Sequence, residues 1–519
     1  MIPGVAGLLA VGLFSVAGWL MTGFVPSLRS LAGLQRWGYS YLLGVAWICG
    51  SLYVFSHLLN TGLGLPAVFG ALVPLLVAAF ARTGKPLRRA ARSGLVRQIR
   101  ERPLSVGVPC CLAFALGILV SAALLEDALG FPASDWDGRM TWSMQARWIW
   151  DEGTVDPSVL REKQWFVSHP QYPLLMPLAQ VVALDVFGSA DDDRAARPVY
   201  AVFFPALLVI LYAQARRWLG RRTAFWVVLV VANIPLLAFE GEGGALSSYS
   251  DLPLACFYGA AIFLLLARPG LPEGLAAGLL LAAAVLVKNE GLPLALAAVC
   301  IGAWTALINF RRHRRISAAV AAAAVVAAAI GFLHSWQSHI PNRQDESYLS
   351  NLSVRRAAAD LIPHARIAAP LALERMLSRD RWAFFWPLAL ALGALGFQGL
   401  RRPPAARLAA AVAAPMAVGL LAYVAHADPA ELVPVTWDRL LLHAVLPGLL
   451  LLGFCLRPVL AAVAGCSSPS GDGRRERPGR FQAGQPPGLR HRPFPLLEAT
   501  VGRSEGEHCG RSGTLNDRG

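Results

Sequence analysis

Charged side chains are scarce in this sequence. Only 15% of its 519 residues are Asp, Glu, Lys or Arg, whereas 55% are hydrophobic, and the mean hydropathy is +0.50. Apolar segments of about 20 residues, long enough to cross the hydrocarbon core of a bilayer, recur along most of the chain. The sequence therefore predicts an all-α, polytopic integral membrane protein.

Three features that the sequence lacks narrow the kind of membrane protein it can be. The eight cysteines lack metal-type spacing and lie mostly inside apolar runs, so we interpret them as small hydrophobic residues. No small-residue cleavage site follows the first apolar run, which predicts a retained helix rather than a signal peptide. No internal repeat is detectable, whereas many transporters are built from repeated halves.

Acidic residues are outnumbered, since 32 Asp and Glu face 47 Lys and Arg and the net charge is +15. The basic residues cluster in short loops between apolar segments and in the C-terminal tail, as the positive-inside rule expects of cytoplasmic segments. Nucleic-acid binding is therefore the weaker interpretation of the charge. The basic loops are Arg82–Arg102, Arg216–Arg222, Arg311–Arg315 and Arg401–Arg407.

The alternation of apolar and basic segments predicts about thirteen membrane crossings, with the N-terminus outside and the C-terminus inside. The segment 172–188 is short, is interrupted by proline and carries Asp185. As a full span it would place the basic residues of 216–222 outside, so we predict that it lies in or dips into the outer interface. The predicted spans are about 3–24, 39–59, 63–81, 103–125, 197–214, 223–239, 251–267, 272–287, 290–309, 316–334, 384–400, 407–425 and 438–456.

This pattern predicts three regions. Residues 1–102 form three N-terminal membrane helices and a basic cytoplasmic loop. Residues 103–456 form a membrane core with a large outer loop at 126–196. Residues 457–519 are rich in Gly, Pro and Arg without apolar periodicity and are expected to be a disordered cytoplasmic tail.

The outer loop holds a dense group of aromatic and charged residues in the stretch 134–177. Within it, Asp137 is flanked by tryptophans just after a predicted membrane exit. A solvated carboxylate in an interfacial aromatic belt would have the same surroundings, but a helical pattern of aromatic and polar residues follows. We therefore favour Asp137 as a general base toward a hydroxyl, with Asp135 as the competitor for that role.

Four more side chains of this loop are candidates for substrate binding. Arg139 and Arg147 would otherwise be cations that snorkel to the interface. Beside an acid, they could hold a phosphate or an acidic sugar through paired hydrogen bonds. His169 and Tyr172 lie in the segment SHPQYP, which could equally be a loop histidine followed by the start of a helix.

Two later segments face the same predicted compartment as Asp137. Asp251 begins an apolar segment and has the position of an ordinary helix cap. Lys288 and Glu290 lie between two long apolar runs, where unpaired charges are costly. They either pair locally or bind a lipid-linked phosphate.

The last strong apolar segment begins with Asp438, Arg439 and His443. Arg439 and His443 are one helical turn apart. These residues are either an interfacial charge cluster or a second phosphate clamp. The convergence of polar groups from separate loops on one compartment predicts an active site there.

These pieces, in this order, resemble the membrane-embedded GT-C glycosyltransferases that use polyprenyl-phosphate sugars. The resemblance is to the glycosyltransferase family 39-like branch with the protein O-mannosyltransferases, the aminoarabinose transferases acting on lipid A and the rhizobial lipid A galacturonosyltransferases. It covers about 103–456 and leaves out the three N-terminal helices. The motifs are WDGRMTWSMQAR (136–147), HPQYPLLMPL (169–178), YSDLPLA (249–255), LVKNEGLPL (286–294) and WDRLLLHAVLP (437–447).

The resemblance implies a GT-C-like fold and an inverting transfer of the sugar to an acceptor hydroxyl. Asp137 would be the catalytic aspartate, with Asp251 assisting or orienting it. Lys288, Arg439 and Arg147 would steady the departing phosphate. The remaining substrate contacts would come from Asp135, Arg139, His169, Tyr172, Glu290 and His443.

The partners implied are a polyprenyl-phosphate sugar, a lipid, glycan or protein acceptor, and membrane lipids. The site would face the periplasm from the bacterial cytoplasmic membrane. Some branches use a divalent metal; Asp137 with Asp251 could bind one, but nothing in the sequence requires it.

Two other interpretations stay open. A transporter or flippase of a lipid-linked or small acidic molecule should carry its charges at mid-membrane on broken helices, whereas here they lie at the ends of predicted spans. A ligase or polymerase of surface polysaccharide shares the same donor chemistry.

Overall fold

The fold is known from a computed structural model, which describes residues 1–83, 108–238, 242–267, 269–308, 313–341, 354–400, 403–426 and 428–466. Within these ranges the chain is helical and contains no β-strand, so the all-α prediction is confirmed. Residues Met1–Ser467 form one compact unit. Most of the predicted basic loop before residue 103 and the predicted tail from 467 onward lie outside the described residues.

The described ranges contain sixteen α-helices of nine residues or more, numbered here in chain order. A π-helical segment, Gly138–Ser143, leads directly into α5. The helices are α1 (Pro3–Thr22), α2 (Gly33–Leu59), α3 (Leu65–Thr83), α4 (Val108–Gly130), α5 (Met144–Glu152), α6 (Leu175–Phe187), α7 (Phe203–Leu219), α8 (Arg221–Ala232), α9 (Asp251–Leu266), α10 (Leu271–Val287), α11 (Gly291–Ile308), α12 (His313–Gln337), α13 (Val354–Leu377), α14 (Phe385–Leu395), α15 (Pro403–Ala425) and α16 (Pro429–Cys466).

Nine helical segments of the described chain are long and apolar enough to cross a membrane. They coincide with α1 to α4, α7, α11, α12, α15 and α16, which indicates a polytopic membrane protein. The other predicted crossings correspond to α8, α9, α10 and α14, which are shorter. A helix of 16 residues such as α9 is about 24 Å long, less than the ~30 Å hydrocarbon core. The figure of thirteen crossings therefore stays a prediction.

Helix α9 lies at the centre of the bundle. All of its residues, from Asp251 to Leu266, are buried, and it packs against α7, α10, α11, α15 and α16. A helix that is hydrophobic all round must be covered on every face. The single carboxylate at its first residue is therefore carried into a dry environment.

The three N-terminal helices pack onto the predicted core. In α1 and α2, a Cβ atom at Gly18 or Gly44 would overlap the backbone of the other helix, so glycine permits their close approach. The Tyr41 hydroxyl on α2 donates a hydrogen bond of 2.5 Å to the carbonyl oxygen of Val199. These helices therefore form one compact body with the segments that resemble the glycosyltransferases.

The predicted interfacial segment 172–188 forms the 13-residue helix α6. Its length of about 20 Å is too short for a span. However, Leu175 to Leu184 are all buried, because α6 packs against α1, α2 and α5. The helix is thus enclosed by protein rather than lying open on a single surface.

Two predicted boundaries differ from the structure. Helix α16 continues to Cys466, beyond the predicted end of the membrane core at 456, because the apolar residues after Pro458 extend the helical run. The predicted span 384–400 is broken at Gly396, where a Cβ atom would overlap the carbonyl oxygen of Cys455 on α16.

Candidate functional site

Polar side chains from four separate parts of the chain meet at one end of the bundle. Asp251 is the first residue of α9, and Lys288 directly follows α10. Arg439 lies on α16, and Asp137 immediately precedes the π-helical segment. With two neighbours, these residues form what we name the ionic cluster: Asp137, Asp251, Lys288, Glu290, Arg439 and His443.

Asp251 is the anion around which the cluster is built. Its Oδ1 accepts a hydrogen bond of 2.9 Å from Lys288 Nζ, and its Oδ2 accepts one of 3.1 Å from Arg439 Nε. The side chain is fully buried. A buried charge without partners would cost several kcal/mol, so each of these three residues requires the other two. Because its side chain has no exposed surface, Asp251 positions the cations in this arrangement rather than contacting a substrate.

Arg439 links the buried and the accessible parts of the cluster. Its Nη1 lies 2.9 Å from Asp137 Oδ2, while its Nε holds Asp251. Its guanidinium also lies 4.8 Å from the ring centroid of Tyr249, a cation–π contact. The guanidinium thus sits between the two carboxylates that the sequence suggested for a metal. Among the described residues, no group of three or more His, Cys, Asp or Glu side chains is arranged to hold a metal ion.

Lys288 is placed by a tight hairpin between α10 and α11. It is extended (φ −161°, ψ 152°) and ends α10, and its Nζ lies 3.2 Å from Glu290 Oε1. A Cβ atom at Gly291 would overlap the carbonyl oxygen of Ala284, so the hairpin needs glycine there. Local pairing of Lys288 with Glu290 does occur, but Asp251 is the more buried partner.

Two acidic side chains are the most exposed part of the cluster. The Asp137 and Glu290 side chains are 24% and 30% exposed, against 0% for Asp251 and 4% for Lys288. Two accessible carboxylates therefore cover two cations that are held in apolar surroundings. Electrostatic interactions are strengthened in such a poorly solvated site.

Tyr249 contacts the backbone of Asp137. Its hydroxyl accepts a hydrogen bond of 3.1 Å from the backbone N–H of Asp137. Burial, followed by the Asp137 carboxylate, raises the pKa of Tyr249 to about 12. The hydroxyl therefore stays protonated at physiological pH and can donate a hydrogen bond to a ligand.

Gly138 allows this approach, because a Cβ atom there would overlap the carbonyl oxygen of Ser247. The glycine lets the start of the π-helical segment lie directly against the loop that carries Tyr249. This contact fixes where Asp137 stands.

His443 is completely buried one turn after Arg439. Its Nε2 lies 3.7 Å from Asp251 Oδ1, too far for a hydrogen bond. The predicted substrate contact would require a ligand to enter the cluster beyond Asp251.

The predicted residues His169 and Tyr172 stack on one another beside Trp142. Ring centroids are 4.8 Å apart for His169 and Tyr172, and 5.6 Å for Tyr172 and Trp142. Gln145 holds this segment by donating hydrogen bonds to the carbonyl oxygens of Ser168 and His169. Tyr172 is close enough to Arg439 for the two to interact electrostatically, so the aromatic stack flanks the ionic cluster.

Arg139 and Arg147 lie elsewhere. Both line a separate pocket of about 590 Å³, in whose lining no member of the ionic cluster takes part. The Arg147 guanidinium donates to the carbonyl oxygen of Ala190. The structure does not bring Arg147 into contact with Lys288 or Arg439 within the described residues, and the phosphate role predicted for Arg147 stays a prediction.

Asp135, the competitor for the base role, is half-buried. Burial raises its pKa above the usual carboxyl range, against an opposing effect of the Arg197 charge. No ion pair of Asp135 with Arg439 or Lys288 occurs in the described part of the chain.

Some residues that shape the site escaped sequence reasoning. The Asp438 carboxylate accepts a hydrogen bond of 2.9 Å from Trp382 Nε1 and lies 3.4 Å from Arg381 and 3.9 Å from Arg375. It therefore ties α16 to the end of α13 and the turn that follows. Nothing in the sequence distinguishes Arg375 and Arg381 from the other arginines in loops, so their contact with Asp438 could not be predicted. Tyr249 was adjacent to Asp251 and could have been found from that position.

Comparisons with known proteins give no identity. The chain matches no protein-family model, no curated protein and no solved structure.

Proposed function

We propose that this chain is an integral-membrane glycosyltransferase of the GT-C type. It would move a sugar from a polyprenyl-phosphate carrier to an acceptor hydroxyl, with inversion, on the outer face of the bacterial cytoplasmic membrane. The observation that carries the proposal is the pair of buried cations, Lys288 and Arg439, held by Asp251 beside the accessible Asp137.

The cations suit a departing phosphate. When the bond between the anomeric carbon and the phosphate oxygen breaks, negative charge develops on that oxygen. Lys288 and Arg439 are already oriented by Asp251, so little reorganisation is needed at that moment. Arg439 can also offer paired N–H donors to phosphate oxygens, which a lysine cannot.

Asp137 suits the acceptor. Its carboxylate would take the proton of the acceptor hydroxyl while the hydroxyl oxygen bonds to the anomeric carbon from the face opposite the phosphate. At present one Asp137 oxygen is paired with Arg439. A phosphate bound to Arg439 would compete for that pairing and release Asp137, so donor binding would prepare the base.

The test is transfer of a labelled sugar. Membranes containing the full chain are given a panel of labelled polyprenyl-phosphate sugars, and label is followed into the lipid, glycan and protein fractions. Asp137→Asn should reduce transfer by about 100-fold or more at equal expression, because a general base contributes ~10²–10⁴. Asp151→Asn is the matched control, since Asp151 is exposed at the end of the same helix.

Each outcome has a consequence. Full transfer by Asp137→Asn would remove Asp137 from the base role. Absence of transfer from every donor by the wild-type chain, with uptake or flipping of a lipid-linked sugar instead, would replace the enzyme by a transporter. Transfer of assembled glycan chains rather than single sugars would identify a polysaccharide ligase or polymerase.

A further inference from the structure

The helix that follows Asp137 separates two polar regions. It forms one wall of the 590 Å³ pocket, which we name the arginine pocket and in whose lining no residue of the ionic cluster takes part. The wall residues recur at the spacing of one helical face. They are Arg139, Met140, Ser143, Met144 and Arg147.

The opposite wall carries acidic residues that are largely satisfied by their own surroundings. It consists of Gln180 and Leu184 on α6 and the connector 190–196. The Asp192 carboxylate pairs with Arg194. The Asp193 carboxylate accepts a hydrogen bond of 3.2 Å from the backbone N–H of Ala133.

The two arginines of the helix wall, in contrast, are accessible to an anionic ligand. Both are exposed, and neither forms an ion pair within the part of the chain that the structure describes. Arg147 is held by the carbonyl oxygen of Ala190, which lies 3.2 Å from its Nε and 2.6 Å from its Nη2. This contact fixes the guanidinium in advance, which lowers the entropic cost of binding an anion.

The apolar part of the lining points to an amphiphile. Met140, Met144 and Leu184 lie beside the arginines in the same pocket, and methionine adapts well to flexible apolar ligands. An arginine guanidinium offers paired N–H donors to a phosphate group such as that of a lipid headgroup. The volume is also in the range of ligand pockets, ~300–1,000 Å³.

We propose that the arginine pocket binds the phosphate group of an anionic membrane lipid. Arg139 and Arg147 hold the phosphate, and the lipid's apolar part lies along Met140, Met144 and Leu184. Because Asp191, Asp192 and Asp193 also line the pocket, a singly charged phosphodiester fits its charge better than a polyphosphate. The proposal concerns binding and is independent of whether the chain transfers a sugar.

The experiment measures lipid binding by the full chain, purified in a neutral detergent, by isothermal titration calorimetry. The probes are dioctanoyl phosphatidylglycerol, dioctanoylglycerol, which lacks the phosphate, and inorganic phosphate, which lacks the lipid. The variants are Arg139→Gln and Arg147→Gln. The matched control is Arg161→Gln, because Arg161 is exposed in the same outer loop but does not line the pocket.

We expect phosphatidylglycerol to bind at least about tenfold more tightly than either other probe, and each pocket variant to weaken it about tenfold, as loss of a charge-assisted hydrogen bond predicts. Arg161→Gln should bind like the wild type. Arg139 lies near enough to Asp193 for the two charges to interact, so thermal unfolding of both pocket variants separates a loss of binding from a loss of stability.

Three results would overturn the proposal. Unchanged affinity in both pocket variants would remove the arginines from binding. Equal affinity for dioctanoylglycerol would remove the phosphate contact. Equal affinity for inorganic phosphate would reduce the pocket to a phosphate site and remove the lipid.

Discussion

The ionic cluster and the arginine pocket share no residue, and they use arginine in opposite ways. In the cluster, Arg439 is almost fully buried and paired with two carboxylates. In the pocket, Arg139 and Arg147 are exposed and lack ion pairs among the described residues. The ionic cluster therefore holds an oriented positive charge away from water, whereas the arginine pocket leaves its positive charges accessible to a ligand.

This difference separates two kinds of site. Buried, mutually paired charges are expensive to assemble and act with little reorganisation, which suits a reacting centre. Exposed arginines beside apolar side chains cost little to place and can reach a ligand, which suits recognition of a lipid headgroup. Substitutions that act on one region and leave the other unchanged test the distinction.

The largest effect is expected from Asp251→Asn. The change removes the anion that holds Lys288 and Arg439, so two buried cations lose their shared partner. The free energy of unfolding should fall by about 3–5 kcal/mol, the usual cost of breaking a buried ion pair. Thermal unfolding of the detergent-purified protein measures this, with Asp151→Asn as the control. If both variants unfold at the same temperature, Asp251 is not the anchor of the cluster.

A second comparison exchanges arginine for lysine in each region. Arg439→Lys keeps the charge but cannot contact Asp137 and Asp251 together, because lysine lacks the guanidinium fork. The rate of sugar transfer should fall about 100-fold, as on loss of an oriented donor. Arg147→Lys should leave the rate unchanged, since it lies in the arginine pocket. Equal losses in the two variants would contradict the separation of the regions.

The smallest effect concerns Asp135, whose raised pKa reflects burial. The folded protein holds this proton more tightly than the unfolded chain. The resulting stabilisation is present below the unfolded pKa and is lost as pH rises through the folded value. As the pH rises above about 4, the usual pKa of an aspartate, the wild-type melting temperature should therefore fall relative to that of Asp135→Asn. Transfer at neutral pH should be unchanged, and its loss would move the base role from Asp137 to Asp135.

Much of the architecture followed from hydropathy alone. Long apolar runs flanked by arginines can only be satisfied as helices in a membrane, because no water is available there to bond the backbone. The helical class and nine long spans were therefore accessible without coordinates. The short helix α6 was also anticipated, but its enclosure by α1, α2 and α5 depends on contacts distant in sequence.

For the candidate site, residue type was more informative than spacing. Asp137, Asp251, Lys288 and Arg439 were expected to meet because each is a charge at the end of an apolar run, where an unpaired charge is costly. Arg147 was expected with them because it lies beside Asp137 in the same outer loop. In the structure, Arg147 donates instead to the carbonyl oxygen of Ala190. Because this partner is a backbone group, the pattern of side chains in the sequence could not predict it.

The chain's order of apolar and charged residues thus decided that it forms membrane helices and which charges need partners, since both follow from the cost of polar groups in hydrocarbon. The tertiary structure decided which charge meets which. It gave Asp251 both cations and left Asp137 accessible. It also placed Arg139 and Arg147 in a pocket that no residue of the ionic cluster lines, because pairing depends on distances across the bundle.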